Sequence, residues 1–111
     1  MNVLIVIVNY RTADLTVDCL RSLTDEVNSL GGIRVVVTDN QSGDDSPTKI
    51  HRAIDDNNWG GWASLMPLAR NGGFAYGNNE AIRPGLAGDD PPDFVLLLNP
   101  DTVVRPGAVI K

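Results

Sequence analysis

Val3-Leu4-Ile5-Val6-Ile7-Val8-Asn9-Tyr10 (residues 3–10) decides how this chain is read. Six consecutive apolar residues, mostly β-branched, predict a strand buried on both faces, as in a parallel sheet. The run is too short for a membrane span, and no stretch of about 20 apolar residues occurs elsewhere. It also lacks the positive flank and small-residue cleavage site of a signal peptide.

Outward from that strand, apolar and turn-forming segments alternate. Ala13, Val17, Leu20, Leu23, Val27 and Leu30 step by three or four and predict a helix, which Thr12 or Asp14 can cap and Gly31-Gly32 ends. Ile33–Val37 predicts a second buried strand running into Thr38-Asp39. A polar loop leads to a short helix from Pro47 or Thr48 to about Ile54. Trp62–Leu68 reads as a weak third strand, Phe74–Leu86 as a helix, and Phe94–Leu98 as the most strongly patterned buried strand. Pro106–Lys111 looks like the beginning of another helix. Regular alternation of strand and helix predicts an α/β fold: a Rossmann-like, mostly parallel sheet flanked by helices, with right-handed crossovers. Ligands of such sheets sit beyond the carboxyl ends of the strands, where strand order reverses.

The 111 residues suffice for one small domain. With 42% apolar and 21% charged residues, the composition is that of an ordinary globular chain. The formal charge of -5 excludes the basic footprint of a duplex nucleic-acid binder. Glu26 and Glu80 are the only glutamates, so nearly all the acid is Asp, a residue of turns and strand ends. Cys19 is the single cysteine, consistent with a reducing compartment, and is expected to pack within a helix. The chain is read as cytoplasmic, with any membrane contact lying outside it, at the inner face of the membrane in a full-length protein.

Several motifs carry no chemistry on this reading. The turn Asn9-Tyr10-Arg11-Thr12-Ala13-Asp14 has no glycine, so it is neither a dinucleotide fingerprint nor a P-loop. One histidine, His51, and one cysteine exclude the familiar zinc spacings. His51 is expected on a helix surface, Asp44 and Asp45 as solvated loop charges, and Trp59 with Trp62 as a small packing cluster.

Three clusters remain. Asp39, ending the second strand, is placed either to accept hydrogen bonds from a ribose or base or to cap the turn that follows. Asn71-Gly72-Gly73 precedes a helix, where backbone N–H groups can approach an anion, although any turn uses such glycines. Pro100 in Asn99-Pro100-Asp101 stops the last strand and holds Asp101 at its carboxyl edge, either as a plain turn or as an oxygen ligand for Mg²⁺ or Mn²⁺.

In order along the chain, Val6–Tyr10, Val36–Ser42, Asn71–Asn79 and Leu97–Thr102 resemble the family 2 glycosyltransferases of GT-A fold, nearest the rhamnosyltransferase-like branch. The resemblance spans nearly the whole chain. It implies that Asn9 and Tyr10 line the base pocket of a nucleoside diphosphate sugar (dTDP, UDP or GDP) and that Asp39 bonds its base or ribose. Asn71, Gly72 and Gly73 would lie along the nucleotide. Asn99 and Asp101 match the family's Asp-any-Asp motif with Asn99 in the first position, and Asp101 would hold a divalent metal, Mg²⁺ or Mn²⁺. A carboxylate about 4 Å from a phosphate charge costs ~4 kcal/mol at an effective dielectric of about 20, so a cation is needed between them.

The family reaction inverts the anomeric centre as a hydroxyl of a glycan or lipid-linked acceptor attacks it with the help of a general base. That base comes from later in the family domain, and Lys111 is the last residue here, so none is expected in this chain. The expectation is the donor-binding part of a glycosyltransferase, inactive alone, its strand edges open to self-association. The competing readings are a non-catalytic nucleotide- or partner-binding α/β module and a phosphoacceptor receiver. The second is opposed by Asn9-Tyr10 where carboxylates are required.

Overall fold

The structure is a computed structural model that describes residues 2–88 and 91–100. The predicted helix start at 106–111, and Asp101 with it, lie outside the described residues. The elements run β1 (Val3–Asn9), α1 (Ala13–Leu30), β2 (Ile33–Asp39), α2 (Ser46–Asp56), β3 (Ala63–Pro67), α3 (Phe74–Ala87) and β4 (Phe94–Leu98). The four strands form one parallel sheet in the order β3-β2-β1-β4. Fold class and strand assignments therefore follow the reading of the sequence.

All seven residues of β1 are buried because the strand is covered on both faces. Ile5 and Ile7 face α1 and α2 with Val35 and Val37 of β2, in a core completed by Leu20, Leu23, Ile50, Ile54 and Trp59. Trp59 and Trp62 pack with ring centroids 5.8 Å apart. Leu4, Val6 and Val36 face α3 on the other side, with Ala81 among them. The continuous apolar run thus supplies both cores, alternate residues going to alternate faces.

α3 meets the sheet along Gly77, Ala81 and Gly85, spaced by four and so on one face of the helix. A Cβ on Gly77 would stand 2.9 Å from Val8 Cγ1 and 3.1 Å from Thr38 Oγ1. One on Gly85 would stand 3.0 Å from Leu4 Cδ2. The missing side chains let the helix axis approach the strands closely. α1 ends at Gly31, whose φ of 66° suits glycine and whose N–H returns to the Val27 carbonyl. Its other end departs from expectation: Thr12 occupies the N-cap position, but its side chain caps no helix amide. The hydroxyl donates instead to Asn9 Oδ1.

β4 corrects a second expectation. It is not buried on both faces: Phe94 is 60% and Leu97 45% exposed. The apolar pattern is real, but β4 is the end strand and pairs with β1 alone among the described residues, while α3 packs over β1 and β2. No helix among the described residues is long and apolar enough to cross a membrane.

Candidate functional site

β2 and β3 lie to one side of β1 and β4 to the other, so strand order reverses between β1 and β4. Leu98 pairs with Ile7, which sets Asn99 beside the last residues of β1. The chain exits at Tyr10, Asn40 and Asn99 consequently share the carboxyl edge of the sheet, where α/β folds place ligands. The β3–α3 segment is brought to the same edge by Asn40, whose Nδ2 donates to the Gly73 carbonyl at 2.9 Å.

The centre of this edge is a buried lattice of side chains. Asn9 and Asp39 are register partners in the β1–β2 ladder. Asn9 Nδ2 donates to Asp39 Oδ1 at 2.8 Å and to Ser42 Oγ at 3.3 Å. Asn9 Oδ1 accepts from the Thr12 and Thr16 hydroxyls at 3.0 and 2.9 Å. Ser42 Oγ donates to Asp39 Oδ1 at 2.6 Å and accepts from the Arg11 amide, while the Ser42 amide donates to Asp39 Oδ2. Five side chains from three segments thereby fix how β1 and β2 leave the sheet.

Asn9 is the centre of this lattice. The residue is fully buried and its amide uses both donors and both acceptor sites inside the protein. Asn9 thus lies beneath the carboxyl edge, while Tyr10, 43% exposed, lies at its surface. Asp39 is 2% exposed and does cap its turn through the Ser42 amide. Its Oδ1 is filled, but Oδ2 accepts a single bond among the described residues and retains an acceptor site.

The Gly73 amide before α3 is engaged within its own loop. The Gly73 N–H donates to Asn71 Oδ1 at 3.0 Å, so it is not free for an anion, and the residue's φ of 92° needs glycine. A Cβ on Gly72 would lie 2.5 Å from Tyr76 Cγ, so packing of that ring accounts for this glycine. The Arg70 guanidinium rests over the Tyr76 ring, 4.6 Å from its centroid. Asn71, Gly72 and Gly73 are all exposed at the carboxyl edge. Thr38 Oγ1, Asn40 Oδ1 and Asn78 Oδ1 are buried without a hydrogen-bond partner among the described residues.

Other side chains behave as simple surface or packing groups. His51 is exposed and lies 3.3 Å from Asp55. Cys19 is buried in the core beside Leu20 and Leu23. Asp44 is exposed, and the Ser46 amide donating to it at 2.9 Å holds its carboxyl below the usual carboxylate range. No group of three or more metal-ligating side chains occurs among the described residues. A cleft of about 270 Å³ lined by Asn2, Gly32, Arg34 and Gly85 lies at the amino ends of the strands, away from this edge.

The sequence did not point to Ser42, Thr16 or Arg11. Ser42 had a readable signal, since Asp39-Asn40-Gln41-Ser42 is a side-chain-capped turn. Thr16, seven residues from Asn9 in the chain, had none.

The same fold is found in known glycosyltransferases. The chain aligns over 96% of its length with the mannosyltransferase PcManGT of Pyrobaculum calidifontis, solved in complex with GDP-Man and Mn²⁺, at a TM-score of 0.78 and 20% identity. It aligns over 98% with residues 1–349 of S. aureus TarS, and equally with that protein in complex with UDP-GlcNAc, each at a TM-score of 0.73 and 20% identity. The chain spans 29–30% of the length of those proteins. No protein-family model and no curated relative matches the sequence. The four-stranded parallel sheet and its flanking helices are therefore a fold shared with those glycosyltransferases.

Proposed function

We propose that this chain is the donor-binding region of a family 2, rhamnosyltransferase-like glycosyltransferase that transfers a hexosyl or rhamnosyl group with inversion from a nucleoside diphosphate sugar. The carrying observation is the buried Asn9–Asp39–Ser42 lattice at the strand-order reversal of a sheet shared with nucleotide-sugar-binding glycosyltransferases. Tyr10 offers an exposed ring to the base, and Asp39 Oδ2 accepts a hydrogen bond from the base or ribose. The exposed Asn71–Gly73 segment flanks the ribose and diphosphate. Asn99, exposed at the end of β4, and Asp101 after it supply hard oxygen donors suited to Mg²⁺ or Mn²⁺. Such an ion supplies Lewis-acid stabilisation of the leaving diphosphate.

The acceptor on this reading is a hydroxyl of a glycan or lipid-linked acceptor, met at the cytoplasmic face of the membrane. The general base and acceptor site lie outside the described residues. Calorimetric titration with UDP, GDP and dTDP, with Mn²⁺ and then with chelator, tests the reading. Saturable binding that disappears with the metal is expected. Absence of binding by all three nucleotides in Mn²⁺ overturns it.

A further inference from the structure

We propose that Arg11 is a positioning residue for the base-binding end of this site, coupling the Tyr10 ring to the Asp39 loop; this rests on the donor reading above. Arg11 has φ of 56°, a left-handed conformation that disfavours any residue with a Cβ. Two bonds to one residue hold it there: its amide donates to Ser42 Oγ at 2.9 Å and its Nε to the Ser42 carbonyl at 2.8 Å. From that position the guanidinium lies over the Tyr10 ring, 5.2 Å from its centroid.

Ser42 is also the residue that binds Asp39 through both its hydroxyl and its amide. Beside it, Gly43 has φ of 73°, and even a Cβ there would stand 3.8 Å from Arg11 Nη2, so the guanidinium lies against the loop backbone. One side chain therefore touches both parts of a base slot: the planar surface at Tyr10 and the loop carrying the acceptor at Asp39. Setting those two in advance of binding removes an ordering cost from association. The planar fork suits this task, because a lysine ammonium reaches the loop carbonyl without covering the ring as a plane.

The consequence is selective. Arg11 acts on the base end, so its loss weakens ligands that carry a base and spares those that do not. The test compares UDP, GDP and dTDP with inorganic pyrophosphate, all in Mn²⁺, on the parent chain, Arg11→Ala and Arg11→Lys, with thermal melts of each. Arg11→Ala is expected to lose about tenfold in affinity for the best nucleotide while pyrophosphate affinity stays unchanged, and Arg11→Lys to recover part of the loss. Equal weakening of nucleotide and pyrophosphate reduces Arg11 to a general structural residue and overturns the proposal. So does unchanged nucleotide affinity in Arg11→Ala. A parent chain that binds none of the nucleotides instead overturns the donor reading itself.

Discussion

Asn9 Nδ2 lies 2.8 Å from Asp39 Oδ1, joining the last residues of two strands that are already register partners through their backbones. The bond crosses 30 residues of sequence and is buried. It turns a charged strand end into the anchor of both loops at the carboxyl edge. Asn9→Ala strands Asp39 Oδ1 with one partner fewer and leaves the Thr12 and Thr16 hydroxyls without an acceptor. A loss of about 2–4 kcal/mol in unfolding free energy is expected, read by urea denaturation. A loss under about 0.5 kcal/mol would mean the lattice is not structural.

Asn9→Asp sets a second carboxylate against Asp39 in the same buried position. It also removes both Nδ2 hydrogen bonds, so Asn9→Asp is expected to be less stable than Asn9→Ala at neutral pH. Urea denaturation of the two variants side by side checks this, and an Asn9→Asp variant as stable as the parent contradicts it.

Asp44 links stability to pH. Its carboxyl is lowered chiefly by the Ser46 amide at the start of α2, so its contribution is present above the ordinary value of 3.8 and lost as pH falls through the lower folded value. Asp44→Ala is expected to destabilise the chain at neutral pH, with the gap to the parent closing below that range. A gap that widens in acid would be the opposite result.

Gly77→Ala tests the close seat of α3. The new methyl meets Val8 Cγ1 and Cγ2 at 2.9 and 3.0 Å, both on a strand that is buried throughout. The helix must move away from the sheet, at a cost of about 1–3 kcal/mol that exceeds the gain in helix propensity of about 1 kcal/mol. Thermal melting should fall accordingly. An increase would show that β1 yields more readily than its burial implies.

The outer edge of β4 offers five uncharged residues, with Phe94, Val95, Leu96 and Leu97 all exposed. Edges of that kind pair with one another. Sedimentation of the chain should show concentration-dependent association that Leu97→Lys suppresses. A parent that remains monomeric at millimolar concentration argues against this.

Much of the architecture was legible because it rests on local pattern. The β-branched run 3–8 and its counterpart at 33–37 name buried strands, and the three-and-four spacing from Ala13 names the helix between them. The positions of Tyr10, Asp39, Asn71 and Asn99 at one edge follow from parallel topology, since every strand then ends on the same side. Which of them faces solvent did not follow. Asn9 and Tyr10 look equally polar in sequence, yet the pleat turns one into the lattice and leaves the other outside. Similarly, the pattern Phe94–Leu98 marks apolar faces without marking which strand lies at the end of the sheet.

By itself, then, the sequence determined an α/β chain whose polar residues gather where the strands end, because periodicity and strand-terminating residues are local properties. Contacts across the fold add that Asn9 is held in a side-chain lattice, that Gly72 accommodates the Tyr76 ring, that β4 is exposed and that Arg11 touches both Tyr10 and the Asp39 loop. Each of these depends on the distance between residues far apart in the chain, and side-chain hydrogen-bonding capacity is assigned only when those distances exist.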